Sequence, residues 1–187
     1  MPDLIELLTF IAVGAFAQLV DGALGMAYGV TSAGLLMGLG MPPVAASASV
    51  HYAETFTCGA SGISHLLAGN VRRPLFLALV IPGVLGALLG VLVAINVPAQ
   101  WMRIALTPYL LGMGLFLLFR RSHQPGQRTD VPRGTGLMGL LAAFVDAIGG
   151  GGWSALTVTI LLARGLPPRG VIGSVHLAKC VLSLAAR

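Results

Sequence analysis

Asp21 and Asp146 are carboxylates set inside apolar stretches, and each stands just before glycines. Gly22 and Gly25 follow the first; Gly149, Gly150, Gly151 and Gly152 follow the second. Consecutive glycines interrupt a helix and bare backbone N–H groups. A half-helix starting there adds the positive end of its dipole, and the two together make an anion site. Gly25, Gly150 and Gly151 are therefore candidate substrate-binding positions. Two roles stay open for the aspartates: carrying a coupling proton beside the anion, or capping helices whose glycines only permit close packing. His51 and Glu54 lie three residues apart and so share one helix face. Glu54 is the only glutamate deep inside an apolar span, Glu6 standing at the very start of one, and an intramembrane acid is a functional candidate by default, here for reversible protonation. The alternative is a hydrogen bond that merely joins two helices. Ser49, Ser174 and His176 complete the candidate substrate path. No spacing gathers the histidines and the two cysteines into a metal site, and no serine, histidine and acid are arranged as a nucleophilic triad. Neither a metal, a cofactor nor an enzymatic reaction is expected. Trp153 and Tyr28 flank the two broken stretches, either gating a cavity or filling a helix interface.

The elements that must position these groups follow from apolar run lengths. Residues 75–97 contain no charge and are long enough to span a hydrocarbon core of about 30 Å. Residues 101–119 form a second such run, closed by Arg120 and Arg121. Residues 4–40 form two short spans or one re-entrant helical hairpin, with the interruption expected at Asp21–Gly22. Residues 44–69 are helix-like in length but hold His51, Glu54, Ser47, Ser61 and His65. Lipid would not accept that set, so this helix must face protein or a wet cavity. Gly86 and Gly90 have the small-xxx-small spacing of closely packed helices.

Composition agrees with this reading. Hydrophobic residues make up 56% of the 187-residue chain and charged residues 9%, against about 25% charged in a soluble domain. The surface must therefore face lipid. The net charge of +5 does not point to nucleic acid. Arg72, Arg73, Arg120, Arg121, Arg128 and Arg133 sit in short gaps between apolar runs, where basic residues mark the cytoplasmic face. Ala15-Phe16-Ala17 resembles a signal-peptide cleavage site, but Asp3 and Glu6 stand where a signal needs positive charge, so a signal peptide is not expected.

The chain carries an internal repeat. Shifted by 125 residues, positions 20–60 align without a gap and 12 of 41 are identical, where chance would give about three. Asp21 matches Asp146, Gly25 matches Gly150, Ser49-Val50-His51 matches Ser174-Val175-His176, and Glu54 matches Lys179. With Arg72, Arg73 and the loop 120–133 placed inside, the two units enter the bilayer from opposite faces. The Gly40-Met-Pro-Pro loop has no charge beside it in sequence, whereas its partner has Arg164 and Arg169. Such inverted repeats are a plan of secondary transporters, with substrate held near the midplane. The expected fold is an all-α integral membrane protein, a multi-pass helical bundle of two inverted-topology repeats. Residues 1–121 form the first repeat, 122–133 a polar cytoplasmic loop, and 134–187 the start of an incomplete second repeat.

The residues carrying these readings also resemble a known family. Asp21-Gly22, Gly25-Met-Ala-Tyr-Gly29, the segment from Ser47 to Thr55, Gly69-Asn70-Val71, Asp146 to Trp153 and Ile172-Gly-Ser-Val175 are similar to the motifs of the TauE/SafE family of bacterial membrane proteins. The resemblance implies a multi-pass inner-membrane carrier that exports small sulfur-containing anions such as sulfite or sulfoacetate. Its partners would be a small anionic substrate and the lipid bilayer, without nucleic acid and with a homo-oligomer left open. Two departures stand out. Lys179 occupies a position where the family usually has an acid, and the chain ends at Arg187 in the middle of the second polar helix. Residues 177–187 drift from the family pattern as a frameshifted or decayed frame would. The alternative expectation is therefore a non-transporting membrane scaffold or a defective transporter fragment.

Overall fold

The computed structural model describes residues 4–24, 26–119 and 127–186. Gly25, Arg120 and Arg121, singled out above, lie outside them. All regular structure among the described residues is α-helical, in eight helices: α1 (Leu4–Leu24), α2 (Tyr28–Gly38), α3 (Pro43–Leu67), α4 (Arg73–Asn96), α5 (Ala99–Phe119), α6 (Thr135–Gly149), α7 (Trp153–Ala163) and α8 (Pro168–Ala185). Three stretches, Leu4–Ala23, Arg73–Asn96 and Ala99–Phe119, are long and apolar enough to cross a membrane.

Residues 4–40 form a helical hairpin with one long and one short arm. Ile5 and Glu6 line the same cavity as Leu39 and Pro42, so the open ends of α1 and α2 lie together. The helix is not interrupted at Asp21–Gly22, as the sequence predicts, but runs on to Leu24. A single helical Gly costs about 1 kcal/mol, too little to end a helix held by its neighbours. The break comes at Met26, whose φ of 72° is left-handed. In the second hairpin α6 likewise passes through Asp146 and ends at Gly150, with φ of 72°, and Gly152, with φ of 115°. The short arms α2 and α7 each have 11 residues. At 1.5 Å per residue each is about 16 Å long, roughly half a hydrocarbon core.

Close backbone packing holds α4 against α6. A Cβ on Gly90 would lie 2.8 Å from the Ala147 Cβ, and one on Gly86 would run into the Leu140 carbonyl. These are the two glycines of the small-xxx-small motif, and they let the helices approach where dispersion, rather than hydrophobicity, must join them. The core beneath gathers Leu75, Leu79, Trp153, Leu161, Val171 and Val175, all fully buried. The opposite face of α4 exposes Leu77, Ile81, Leu85, Leu88, Leu92 and Ile95. An apolar face of this extent suits hydrocarbon and not water.

One end of the bundle is basic. The Arg72 guanidinium donates to the carbonyls of Arg128 and Thr129, and Arg164 donates to the Arg133 carbonyl at 3.2 Å. Arg128 grips the Asp130 carboxylate with two hydrogen bonds of 2.7 Å, which hold that carboxyl below its ordinary value. Both groups are solvated, so the pair adds little stability. The opposite end is not free of charge, because α5 starts there. Arg103 donates to the carbonyls of Gly40 and Met41 at 2.9 and 3.4 Å.

Candidate functional site

Helix α3 starts with Pro43, which presets the φ of a first helical turn, and then presents His51 and Glu54 on one face. That face meets α8 and the end of α6. Glu54 Oε2 lies 3.2 Å from His51 Nδ1 and 2.9 Å from Lys179 Nζ, and it accepts a hydrogen bond from the Ser183 hydroxyl at 3.4 Å. Lys179 Nζ also donates to Asp146 Oδ2 at 2.5 Å. His51 Nε2 faces the Asp146 carbonyl at 3.3 Å. All four residues are no more than 5% exposed. In so dry a setting each charge must be paired, because an isolated ion would lose several kcal/mol of hydration.

The two aspartates do the same thing at matching offsets. Asp21 Oδ1 accepts the Tyr28 N–H at 2.9 Å, and Asp146 Oδ1 accepts the Trp153 N–H at 2.9 Å. Each carboxylate reaches seven residues forward, across the break, to cap the first N–H of the short arm. Ala27 and Gly152, the N-cap residues, supply no side-chain bond of their own. Asp146 has a second duty, since its other oxygen binds Lys179. Asp21→Ala should therefore cost about 1 kcal/mol, the worth of a cap. Asp146→Ala should cost clearly more, because it also strips a partner from a buried ammonium. Thermal unfolding of the two purified variants ranks them, and equal losses would refute the second duty.

The broken segments touch. A Cβ added to Gly29 would lie 2.7 Å from the Gly151 Cα and 2.8 Å from Glu54 Oε1, and one on Gly150 would lie 2.9 Å from the Ser47 Cα. Ser47 donates to the Ala147 carbonyl at 2.8 Å and Tyr109 to the Gly151 carbonyl at 2.9 Å, fastening the second break to α3 and α5. Beside this crossing lies a cavity of about 150 Å³. Asp21, Tyr28 and Gly29 line it from the first break, and Gly152 and Ser154 from the second. Glu54, Thr57, Cys58 and Ser61 of α3 and His176 of α8 complete the wall. Ser61 Oγ and His176 Nδ1 are 2.5 Å apart. The N–H groups of Gly29, Val30, Ser154 and Ala155 occupy first turns, where no intrahelical acceptor exists.

Of the residues singled out from sequence, Asp21, Glu54 and His176 line the cavity, while His51 and Asp146 form the ionic cluster behind Glu54. Gly150 and Gly151 form the crossing. Ser49 and Ser174 are elsewhere. Ser49, two residues before His51, points to another face of α3 and lines a separate cavity with Phe10, Val13 and Tyr28. Ser174, the seventh residue of α8, faces the start of α4 instead and accepts the Arg72 N–H at 2.8 Å. Trp153 fills the interface, fully buried, with its indole N–H on the Gly139 carbonyl at 3.1 Å; Tyr28 borders the cavity. Sequence reasoning counted Ser47, Thr57 and Ser61 among the polar groups of α3 without assigning them to the substrate path, missed Tyr109, and treated Lys179 as a departure from pattern. One signal was available for Lys179: it aligns with Glu54 in the internal repeat and carries the opposite charge. Among the described residues no group of three or more His, Cys, Asp and Glu side chains could hold a metal ion.

Comparisons with known proteins agree with this architecture. Residues 10–186 match the family described as sulfite exporter TauE/SafE. The chain is 40% identical over 193 aligned positions to the probable membrane transporter protein YtnM of Bacillus subtilis (strain 168), covering 97% of this chain and 63% of that protein's length. No solved structure matches it. The match over almost every residue, including both broken hairpins and the polar helix that follows each, assigns this multi-pass membrane protein: it belongs to the sulfite exporter TauE/SafE family.

Proposed function

We propose that the protein exports small sulfur-containing anions, such as sulfite or sulfoacetate, across the bacterial inner membrane. The observation that carries this reading is the polar cavity between the N-terminal ends of α2 and α7. Two helix N-termini supply N–H donors and positive dipole ends, and Ser154 and the hydrogen-bonded Ser61–His176 pair add side-chain donors. Asp21 and Glu54 would repel an anion if bare. Asp21, however, is engaged by the Tyr28 N–H, and Glu54 by Lys179.

The matching hairpins α1–α2 and α6–α7, each capped by an aspartate at the same offset, support two inverted repeats. On this reading residues 1–121 form one repeat, 134–187 belong to the other, and the loop 122–133 joins them inside the cell. Arg72, Arg128, Arg133 and Arg164 cluster at the end that the positive-inside tendency makes cytoplasmic. Transport proceeds by alternating access, one hairpin rocking against the other around the crossing of Gly29 and Gly151.

Cys58 reports on the cavity directly. In a Cys180→Ala background, sulfoacetate, which does not itself add to a maleimide as sulfite does, should slow the reaction of Cys58 with a membrane-permeant maleimide, and chloride should not. In cells challenged with sulfite, Glu54→Gln should lower export while membrane insertion stays intact. If sulfoacetate does not protect Cys58 and export does not depend on the protein, the non-transporting scaffold reading replaces this one.

A further inference from the structure

We infer that His51 and Glu54 hold a single exchangeable proton whose presence neutralises the buried cluster and favours an anion in the adjoining cavity. Donor and acceptor accounting carries the argument. The Asp146 carbonyl can only accept, so the His51 Nε2 facing it at 3.3 Å bears hydrogen. A neutral imidazole would then turn a bare lone pair at Nδ1 toward Glu54 Oε2, 3.2 Å away, itself an acceptor when ionised. The contact is attractive only if one more proton lies on Nδ1 or on the carboxyl. Two carboxylates, Glu54 and Asp146, face one ammonium, Lys179. The extra proton brings this cluster to zero charge, and its loss leaves one uncompensated negative charge in a site no more than 5% exposed.

The other ionisable groups facing the pair are engaged or ill suited to that role. Lys179 from α8 is held by both carboxylates, and Asp146 from α6 by Lys179 and the Trp153 N–H. Asp21 from α1 caps Tyr28. His176 from α8 pairs with Ser61 across the cavity, and Cys58 of α3 and Tyr28 of α2 border the same space. Tyr109 of α5 donates to the Gly151 carbonyl near Asp146. His51 and Glu54 alone meet as acceptor against acceptor without an added proton. Glu54 also borders the cavity, so the charge it carries is felt there. A negative cluster repels a bound anion and a neutral one does not. By linkage, an anion entering the cavity must then draw a proton onto the pair.

The coupling rests on the cavity being the anion site, so the test reads the proton and the anion separately. The probe is methanesulfonate, which stays ionised throughout, titrated calorimetrically into the purified full chain from about pH 5 to about pH 9. Binding should weaken at least about fivefold toward high pH, the lower end of ordinary coupling, with proton uptake accompanying each anion bound. Glu54→Gln, isosteric with the protonated acid, should bind with an affinity independent of pH and without proton uptake. His51→Asn should flatten the same profile if Glu54→Gln proves unstable. Infrared difference spectra between the two pH limits, without anion, should show a carboxyl or imidazolium band that each substitution removes. Binding that is the same at every pH, with no such band, overturns the inference. A band without binding of any anion leaves the proton site standing and removes the transport reading.

Discussion

Lys179→Met should destabilise the protein by about 3–5 kcal/mol, the usual cost of removing one partner from a buried ion pair. Lys179 is 1% exposed and is the cation beside both Glu54 and Asp146. Met preserves much of the stem's packing, so the loss isolates charge from volume. Taking away the ammonium leaves two carboxylates without a counter-ion in a dry interior. They would take up protons, admit water or force the helices apart. Glu54→Gln combined with Lys179→Met removes one carboxylate as well and should recover part of the loss. Thermal unfolding of the two single variants, the double variant and the parent yields the coupling energy between the sites. A Lys179→Met protein that melts like the parent, or a double variant whose losses simply add, would show that the ion pair does not hold α3 to α8.

The second large effect belongs to the crossing of the breaks. Gly151→Ala should abolish anion binding and transport and cost about 1–3 kcal/mol or more, the range for overpacking a close contact. Its added methyl would meet the backbone of Gly29 and Val30, which cannot swing aside as a side chain can. Gly29→Ala should behave alike, since its Cβ would lie 2.7 Å from the Gly151 Cα and 2.8 Å from Glu54 Oε1. Gly34 is the control: it belongs to the same helix α2, but a Cβ there meets nothing within 4 Å. Gly34→Ala should be neutral or mildly stabilising, because Ala is the better helix former. Calorimetric binding of methanesulfonate and melting temperatures of all three variants decide the matter. If Gly34→Ala and Gly151→Ala fared equally, the crossing would have no special part in the site.

The amino-acid sequence determines the all-helical membrane character, the helix boundaries of α4 and α5 to within two residues, and the pairing of Asp21 with Asp146. These are properties of apolar run length and of self-similarity, both of which can be counted along a chain. It also marks His51 and Glu54 as one face, because a helix has a fixed period. What three dimensions decide is which groups meet across elements. Asp21 and Asp146 cap the short arms from seven residues upstream, a reach set by how far each helix runs past its carboxylate before breaking. Ser49 lies two residues from His51 and Ser174 two residues from His176, yet neither serine belongs to the cavity, because that spacing turns each to another face of its helix. Lys179 looks like an anomaly in a linear comparison with an acidic pattern. It becomes the counter-ion of Glu54 only once α3 and α8 pack with their equivalent positions face to face. The physical reason is that periodicity is local, whereas charge compensation in a dry interior depends on distances that only the packed helices set.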